Sequence, residues 1–155
     1  MKFNEIYGIY WPKVFRLCMG FVNDRDWAKD IAQDTFVTVW QKLSYVRNEA
    51  YIGTWIYRIA TNKCLRQIEK ENRYTKLELK FDVPAPVPSN IESQTTFLYR
   101  CIAELPEIER IIISLELEDV KQTEIASIVG ISKANVRVKV HRIKEKLAEK
   151  FKNIE

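Results

Sequence analysis

Two groups of cations set at helical spacing are the residues of this chain best equipped for chemistry. In the first, Arg58, Asn62 and Arg66 follow one another at steps of four, with Trp55 and Arg73 near the same side. On a helix of about 3.6 residues per turn that spacing makes one stripe. Its cations can follow phosphates, and its aromatic ring offers stacking to an unpaired base. The second group lies in residues 132–150. Here Val140, Ile143 and Leu147 fall within about 40° of Val136 and form an apolar side. The opposite side presents Ala134, Val138 and His141, flanked by Arg137 and Arg142. In a helix that enters a DNA groove, early residues meet base edges while later ones hold phosphates. Lys133, Ala134, Arg137 and Val138 are therefore assigned to the groove, and Lys139, His141 and Arg142 to phosphates. An outward valine is unusual on a solvated face and suits a thymine methyl.

Catalytic and metal chemistry find little support. His141 is the single histidine and sits in that basic segment. No Gly-rich phosphate loop appears, and no nucleophile has an evident base. Asp30 and Asp34 share a helix face but have no partner motif. Cys18, Cys64 and Cys101 are far apart, lack zinc-site spacing, and are odd in number, which argues against a disulfide framework. They read as reduced, mostly buried thiols. No enzyme activity, metal or cofactor is expected. Asn4, Glu5, Lys13 and Arg16 interrupt the apolar N-terminal stretch, so no signal peptide or membrane span is expected, and the chain should be cytoplasmic.

The elements that must position these groups read as helices throughout. Of the 155 residues 46% are apolar and only four are Gly, while strand-type alternation is nearly absent. The fold class is all-α, with two small helical domains joined by a flexible linker. The net charge of +4 is unevenly spread. Residues 54–73 hold five bases against two acids, 93–131 three against seven, and 132–155 eight against three. Two basic stretches are thus separated by an acidic one, an arrangement suited to nucleic acid.

The first helix is expected at about 3–20, with Pro12 kinking or breaking it. After a turn at Asn23-Asp24, a second helix carries Ala28, Ala32, Phe36, Val39 and Leu43 as one buried stripe. A loop at 44–50 leads to a third helix at roughly 51–73. The stretch Val83-Pro84-Ala85-Pro86-Val87-Pro88-Ser89 excludes a helix and favours extended chain, so the linker is placed at 74–91. Ser89 and Glu92 have capping-box spacing for the next helix. Four more helices are expected at about 92–104, 107–118, 121–129 and 132–150, with Pro106 in the first turn of the second. Gly130-Ile131-Ser132 combines a left-handed C-cap, an apolar plug and an N-cap. Two short helices joined this way, the second basic, make a helix-turn-helix.

Residues 101–147 resemble region 4 of the extracytoplasmic-function (ECF) sigma factors. The resemblance rests on Leu105-Pro106, Glu124-Ile125-Ala126, Gly130-Ile131-Ser132 and His141-Arg142. Residues 24–41, DRDWAKDIAQDTFVTVWQ, resemble region 2.2 of the same family, and residues 54–63, TWIYRIATNK, resemble regions 2.3 and 2.4. The resemblance implies domains at 1–73 (region 2) and 92–155 (region 4). It also implies a factor that directs core RNA polymerase to promoters and assists melting. Region 2.2 would grip the polymerase β′ clamp helices through Asp30, Gln33, Asp34, Phe36 and Trp40. Trp55, Arg58, Asn62, Lys63 and Arg66 would serve the −10 element, with the loop Arg47–Gly53 capturing a flipped-out base. Ser132, Lys133, Ala134, Asn135, Arg137, Val138, Lys139, His141 and Arg142 would serve the −35 element, and region 4 would also meet the β flap. An anti-sigma factor, often membrane-bound in the family, is a further implied partner, and the free chain is expected to be a monomer. Lys121 stands where the family often has a Ser cap, and Asn135 and Val138 replace the commoner Thr and Ser.

Independently of the family, Asp30, Gln33, Asp34, Val37 and Gln41 lie away from the buried stripe and make an acidic-polar outer face. If promoter elements lie about 25 base pairs apart, as the family resemblance implies, their centres are roughly 85 Å apart at about 3.4 Å per pair. Two helical domains of about 25–30 Å leave about 55–60 Å to bridge, and the stretch 74–90, about 17 residues when extended, reaches roughly 56 Å. The rival reading is a helix-turn-helix regulator acting without core polymerase, which would bind duplex tightly by itself.

Overall fold

A computed structural model of the chain describes residues 2–77 and 93–153. Helix α1 spans Phe3–Val22 and α2 spans Arg25–Lys42. Two short 3-10 turns, Leu43–Tyr45 and Glu49–Tyr51, lead into α3 at Ile52–Leu77. The second half consists of α4 (Gln94–Ala103), α5 (Glu107–Leu117), α6 (Gln122–Val129) and α7 (Lys133–Lys152). Among the described residues there is no strand.

Local chemistry accounts for most boundaries. Asn23 takes the left-handed conformation at φ 48° and ends α1, and the Asp24 side chain accepts the Trp27 N–H to begin α2. Pro12 lies inside α1, and the helix runs on through it. The expected loop at 44–50 is largely wound into the two 3-10 turns, the second capped by Asn48. Helix α3 continues four residues past its expected end. The proline-rich segment and the Ser89–Glu92 cap lie outside the described residues. Ser93 caps α4 instead, accepting the Thr96 N–H at 3.1 Å. Pro106 is the N-cap of α5 rather than a residue of its first turn. Lys121 opens α6 without a side-chain cap. Gly130 closes that helix at φ 82°, where a side chain would be strained, and Ser132 accepts the Asn135 N–H to start α7.

In the first half, Val14, Leu17, Cys18 and Phe21 of α1 are buried with Ala28, Ala32, Phe36 and Val39 of α2 and with Ile56, Ala60 and Cys64 of α3. Cys18 and Cys64 stand 3.8 Å apart, sulfur to sulfur, and all three cysteines are free and buried. The thiol contact and burial together push the Cys18 pKa well up, so its reactive thiolate is suppressed. In the second half, Ile102, Ile111, Ile112, Leu115, Ile125, Val136, Val140, Ile143 and Leu147 close a separate set of helix contacts. The apolar side expected for α7 is buried as read.

The two halves also touch. Helix α1 packs on α4 and α5, and α3 packs on α6, so the apolar cores join into one cluster. A reading of two modules connected by a tether does not anticipate this contact.

Candidate polymerase and nucleic-acid interfaces

The outer face of α2 is built by subtraction. Once Ala28, Ala32, Phe36 and Val39 turn inward, Asp30, Gln33, Asp34, Val37 and Gln41 are left exposed, as expected. Trp40 projects among them with 66% of its surface open. Phe36 does not share that face. It is buried beneath it, with its ring 5.1 Å from Tyr7 and 5.8 Å from Trp11. Phe36 can therefore position the face but cannot meet a partner directly. The aromatic series Phe3, Tyr7, Trp11 and Phe15 on α1, each four residues from the last, packs ring against ring beside it.

Helix α3 presents the cation stripe. Arg58, Asn62 and Arg66 are exposed, and Trp55 is partly buried against the core. The side chain of Arg73 lies outside those described. Lys63, between the stripe and α2, donates to Asp34 at 2.9 Å and is itself mostly covered. Arg58 donates to the Ser127 hydroxyl of α6 at 2.7 Å.

Next to Trp55 and Arg58 is an open cavity of about 720 Å³. Its first wall is formed by Tyr45, Tyr51, Trp55 and Arg47, and its second by Thr123, Glu124 and Ser127 of α6. Tyr45 and Tyr51 are 80% and 64% exposed, and neither was singled out from sequence. Two tyrosines within seven residues, in a segment that also carries Lys42 and Arg47, were the available signal. Such rings offer base stacking, and the cations nearby suit a phosphate.

On α7 the groove side stands open. Lys133, Ala134, Asn135, Arg137, Val138, His141 and Arg142 are exposed, while Lys139 is partly covered. Val138 leaves 43% of its surface to solvent on this basic side. His141 faces Glu145 at 3.0 Å, one turn along the same helix. Ser132 has its hydroxyl engaged as the cap, so its part in any contact is to fix where α7 begins.

The three surfaces occur in chain order as an acidic-polar helix, a cation and aromatic stripe, and a helix-turn-helix. Two family models match the chain, one over each half. The model of sigma-70 region 2 matches residues 6–74, and that of sigma-70 region 4 matches residues 98–147. The chain belongs to the sigma-70 family. Several of the relatives it matches are ECF RNA polymerase sigma factors. The chain is 25% identical over 169 residues to the ECF RNA polymerase sigma factor SigW of Bacillus subtilis, an alignment covering 98% of this chain and 90% of that one. It is 28% identical over 157 residues to the ECF RNA polymerase sigma factor RpoE of Cereibacter sphaeroides, covering 94% and 86%. Two solved structures share the fold. The sigma factor RpoE in complex with the anti-sigma factor NepR from Bartonella quintana superposes with a TM-score of 0.82 at 20% identity, over 97% of this chain and 96% of that one. CnrH in complex with the cytosolic domain of CnrY gives 0.73 at 19% identity, over 99% and 89%. Among the described residues no helix is long and apolar enough to cross a membrane.

Proposed function

We propose that this chain is an ECF sigma factor that brings core RNA polymerase to particular promoters and helps open the duplex there. One observation carries the reading. A single chain displays an acidic-polar face with an exposed tryptophan on α2, a cation and aromatic stripe on α3, and an open basic groove side on α7. A stand-alone duplex binder needs only the last of these.

In this reading residues 1–73 form the module that binds polymerase and the −10 element, 74–91 the linker, and 92–155 the −35 module. Asp30, Gln33, Asp34 and Trp40 meet the β′ clamp helices, and Phe36 supports them from beneath. Carboxylates there pair with basic side chains, while the indole supplies apolar area. Trp55, Arg58, Asn62, Lys63 and Arg66 serve the −10 element, where melted bases can stack and phosphates can be neutralised. Lys133, Ala134, Asn135, Arg137 and Val138 enter the major groove, capped by Ser132. Lys139, His141 and Arg142 hold the backbone. The work is done by binding, in the cytoplasm, and an anti-sigma factor is the natural antagonist because it need only cover these same faces.

The test is run-off transcription with purified chain, core polymerase and genomic fragments. Discrete promoter-dependent transcripts are expected. Failure to bind core polymerase, together with tight binding of the chain alone to a palindromic duplex, would replace this reading with that of an ordinary regulator.

A further inference from the structure

We infer that Cys18 and Cys64 form an oxidation site, at which a small peroxide converts the two thiols into an internal disulfide that staples α1 to α3. The inference stands apart from the function proposed above. It concerns the interior of the N-terminal half and not the faces assigned to polymerase or promoter.

The two sulfurs are 3.8 Å apart, and both side chains are fully buried. A disulfide needs about 2.05 Å between its sulfurs, so the reduced pair is about 1.8 Å short of a bond. A sulfur turning between staggered rotamers travels further than that. Closure therefore asks for side-chain rotation and not for a new packing of α1 on α3. Val14, Leu17 and Phe21 on α1 and Ile56 and Ala60 on α3 are buried as well, so the pair sits within packed core. Such burial decides the product. A bulky cap such as glutathione has no room at a residue without exposed surface, whereas a sulfenic acid on either sulfur already touches a thiol.

The chemistry balances with hydrogen peroxide as the oxidant. One thiolate attacks a peroxide oxygen, the O–O bond breaks, and the sulfur becomes a sulfenic acid. The departing hydroxide takes the first thiol's proton and leaves as water. The second thiol then attacks the sulfenic sulfur. The S–S bond forms, the S–O bond breaks, and the hydroxyl departs with the second thiol's proton as another water. Two thiols lose two electrons, and one peroxide becomes two waters. The raised Cys18 pKa makes the first step slow in the closed core, so it proceeds during brief openings of the helix pair.

The bridge joins residues 46 positions apart, one on the first helix and one on the helix that carries the cation stripe. A cross-link over a loop of that length removes freedom from the unfolded chain. The oxidised N-terminal half thus stays folded at temperatures where the reduced one opens.

The full-length chain is treated with hydrogen peroxide, its remaining thiols are blocked with iodoacetamide in denaturant, and it is digested without reduction for mass spectrometry. Thermal unfolding is followed in parallel by circular dichroism. The peptides holding Cys18 and Cys64 should appear linked, two hydrogens lighter than their sum, and dithiothreitol should part them. Tm of the bridged chain should exceed that of the reduced chain by about 5 °C or more. Cys64→Ala removes one partner and should show neither the link to Cys18 nor the rise in Tm. Should that variant fail to fold, the peptide map of the wild-type chain still decides. Both thiols left unmodified, a link from either to Cys101 or to a second chain, or oxygen gained on either cysteine without a link overturns the site. A bridged chain whose Tm does not rise overturns the staple.

Discussion

Replacing Trp40 by alanine tests whether the outer face of α2 is a docking surface. A covered aromatic side chain buries roughly 150–250 Å². With 66% of Trp40 exposed, roughly 100–165 Å² remains for a partner to cover. At about 25 cal/mol per Å² this contributes ~2.5–4 kcal/mol, against about 0.5–1.5 kcal/mol for fixing its rotamer. The balance, about 1–3.5 kcal/mol, weakens core polymerase binding by roughly 5- to 300-fold, with a midpoint near 40-fold. Stability should hardly change, because little of the indole is packed. Phe36→Ala provides the contrast. That ring is 3% exposed, its truncation costs about 3–5 kcal/mol, and Tm should fall by roughly 10 °C. Affinity for fluorescently labelled core polymerase and Tm by calorimetry are measured for both variants. Polymerase affinity for Trp40→Ala within twofold of wild type refutes the assignment of the face. A Tm drop in Trp40→Ala comparable to that of Phe36→Ala refutes the separation of contact from support.

Three further outcomes are expected. Arg137→Ala should cost about 1–3 kcal/mol of −35 duplex binding and relax its base preference, whereas Lys139→Ala should weaken all sequences alike and lower the salt slope by about 1; identical behaviour in a salt-dependent titration would undo the division between groove and backbone residues. Ser132→Ala removes the cap of α7 and should destabilise the chain by about 1 kcal/mol in urea unfolding, and an unchanged midpoint would show that the cap contributes nothing. Burial holds the Tyr57 hydroxyl neutral well above the ordinary phenol range, so its folded pKa exceeds its unfolded one. Stability is then fully present below about pH 10 and falls as pH rises, because the unfolded chain ionises first. Tyr57→Phe should flatten that alkaline fall in urea midpoints, and an equally steep fall would discount the residue.

Periodicity and capping made much of the fold legible. The buried stripe of α2, the apolar side of α7 and the Gly130-Ile131-Ser132 turn all depend on residues within a few positions of one another, and local patterns record local geometry. At Pro12 the helix is not broken, because a single proline can be carried within a helix whose other turns are well packed. The extra turn at the end of α3 carries Lys76, a good helix former, and has no breaker until Pro84. The contact between the halves was invisible for a different reason. Gly20 and Ser114 are 94 positions apart, and neither has a neighbour that betrays the other. Arg16 reads as one more surface cation until Glu118 is found beside it. For the candidate sites, spacing placed Arg58, Asn62 and Arg66 on one exposed side. It gave no warning that Ser127 would hold the first of them, or that Tyr45 and Tyr51 would share a cavity with α6.

The bond between Asp34 and Lys63 links the two surfaces proposed above for different partners. Asp34 belongs to the outer side of α2, and its carboxylate is more than half exposed, whereas the lysine is tucked against α3. A basic group arriving on α2 competes for that carboxylate, and an ammonium that loses its counterion must find another or turn toward solvent. Lys63 shares a shallow hollow with Arg66, Glu69 and Lys70, where a phosphate would meet three cations and one remaining carboxylate. If both surfaces act as proposed, occupation of the first would raise the positive charge offered by the second through a single exchanged ion pair, with no helix having to move.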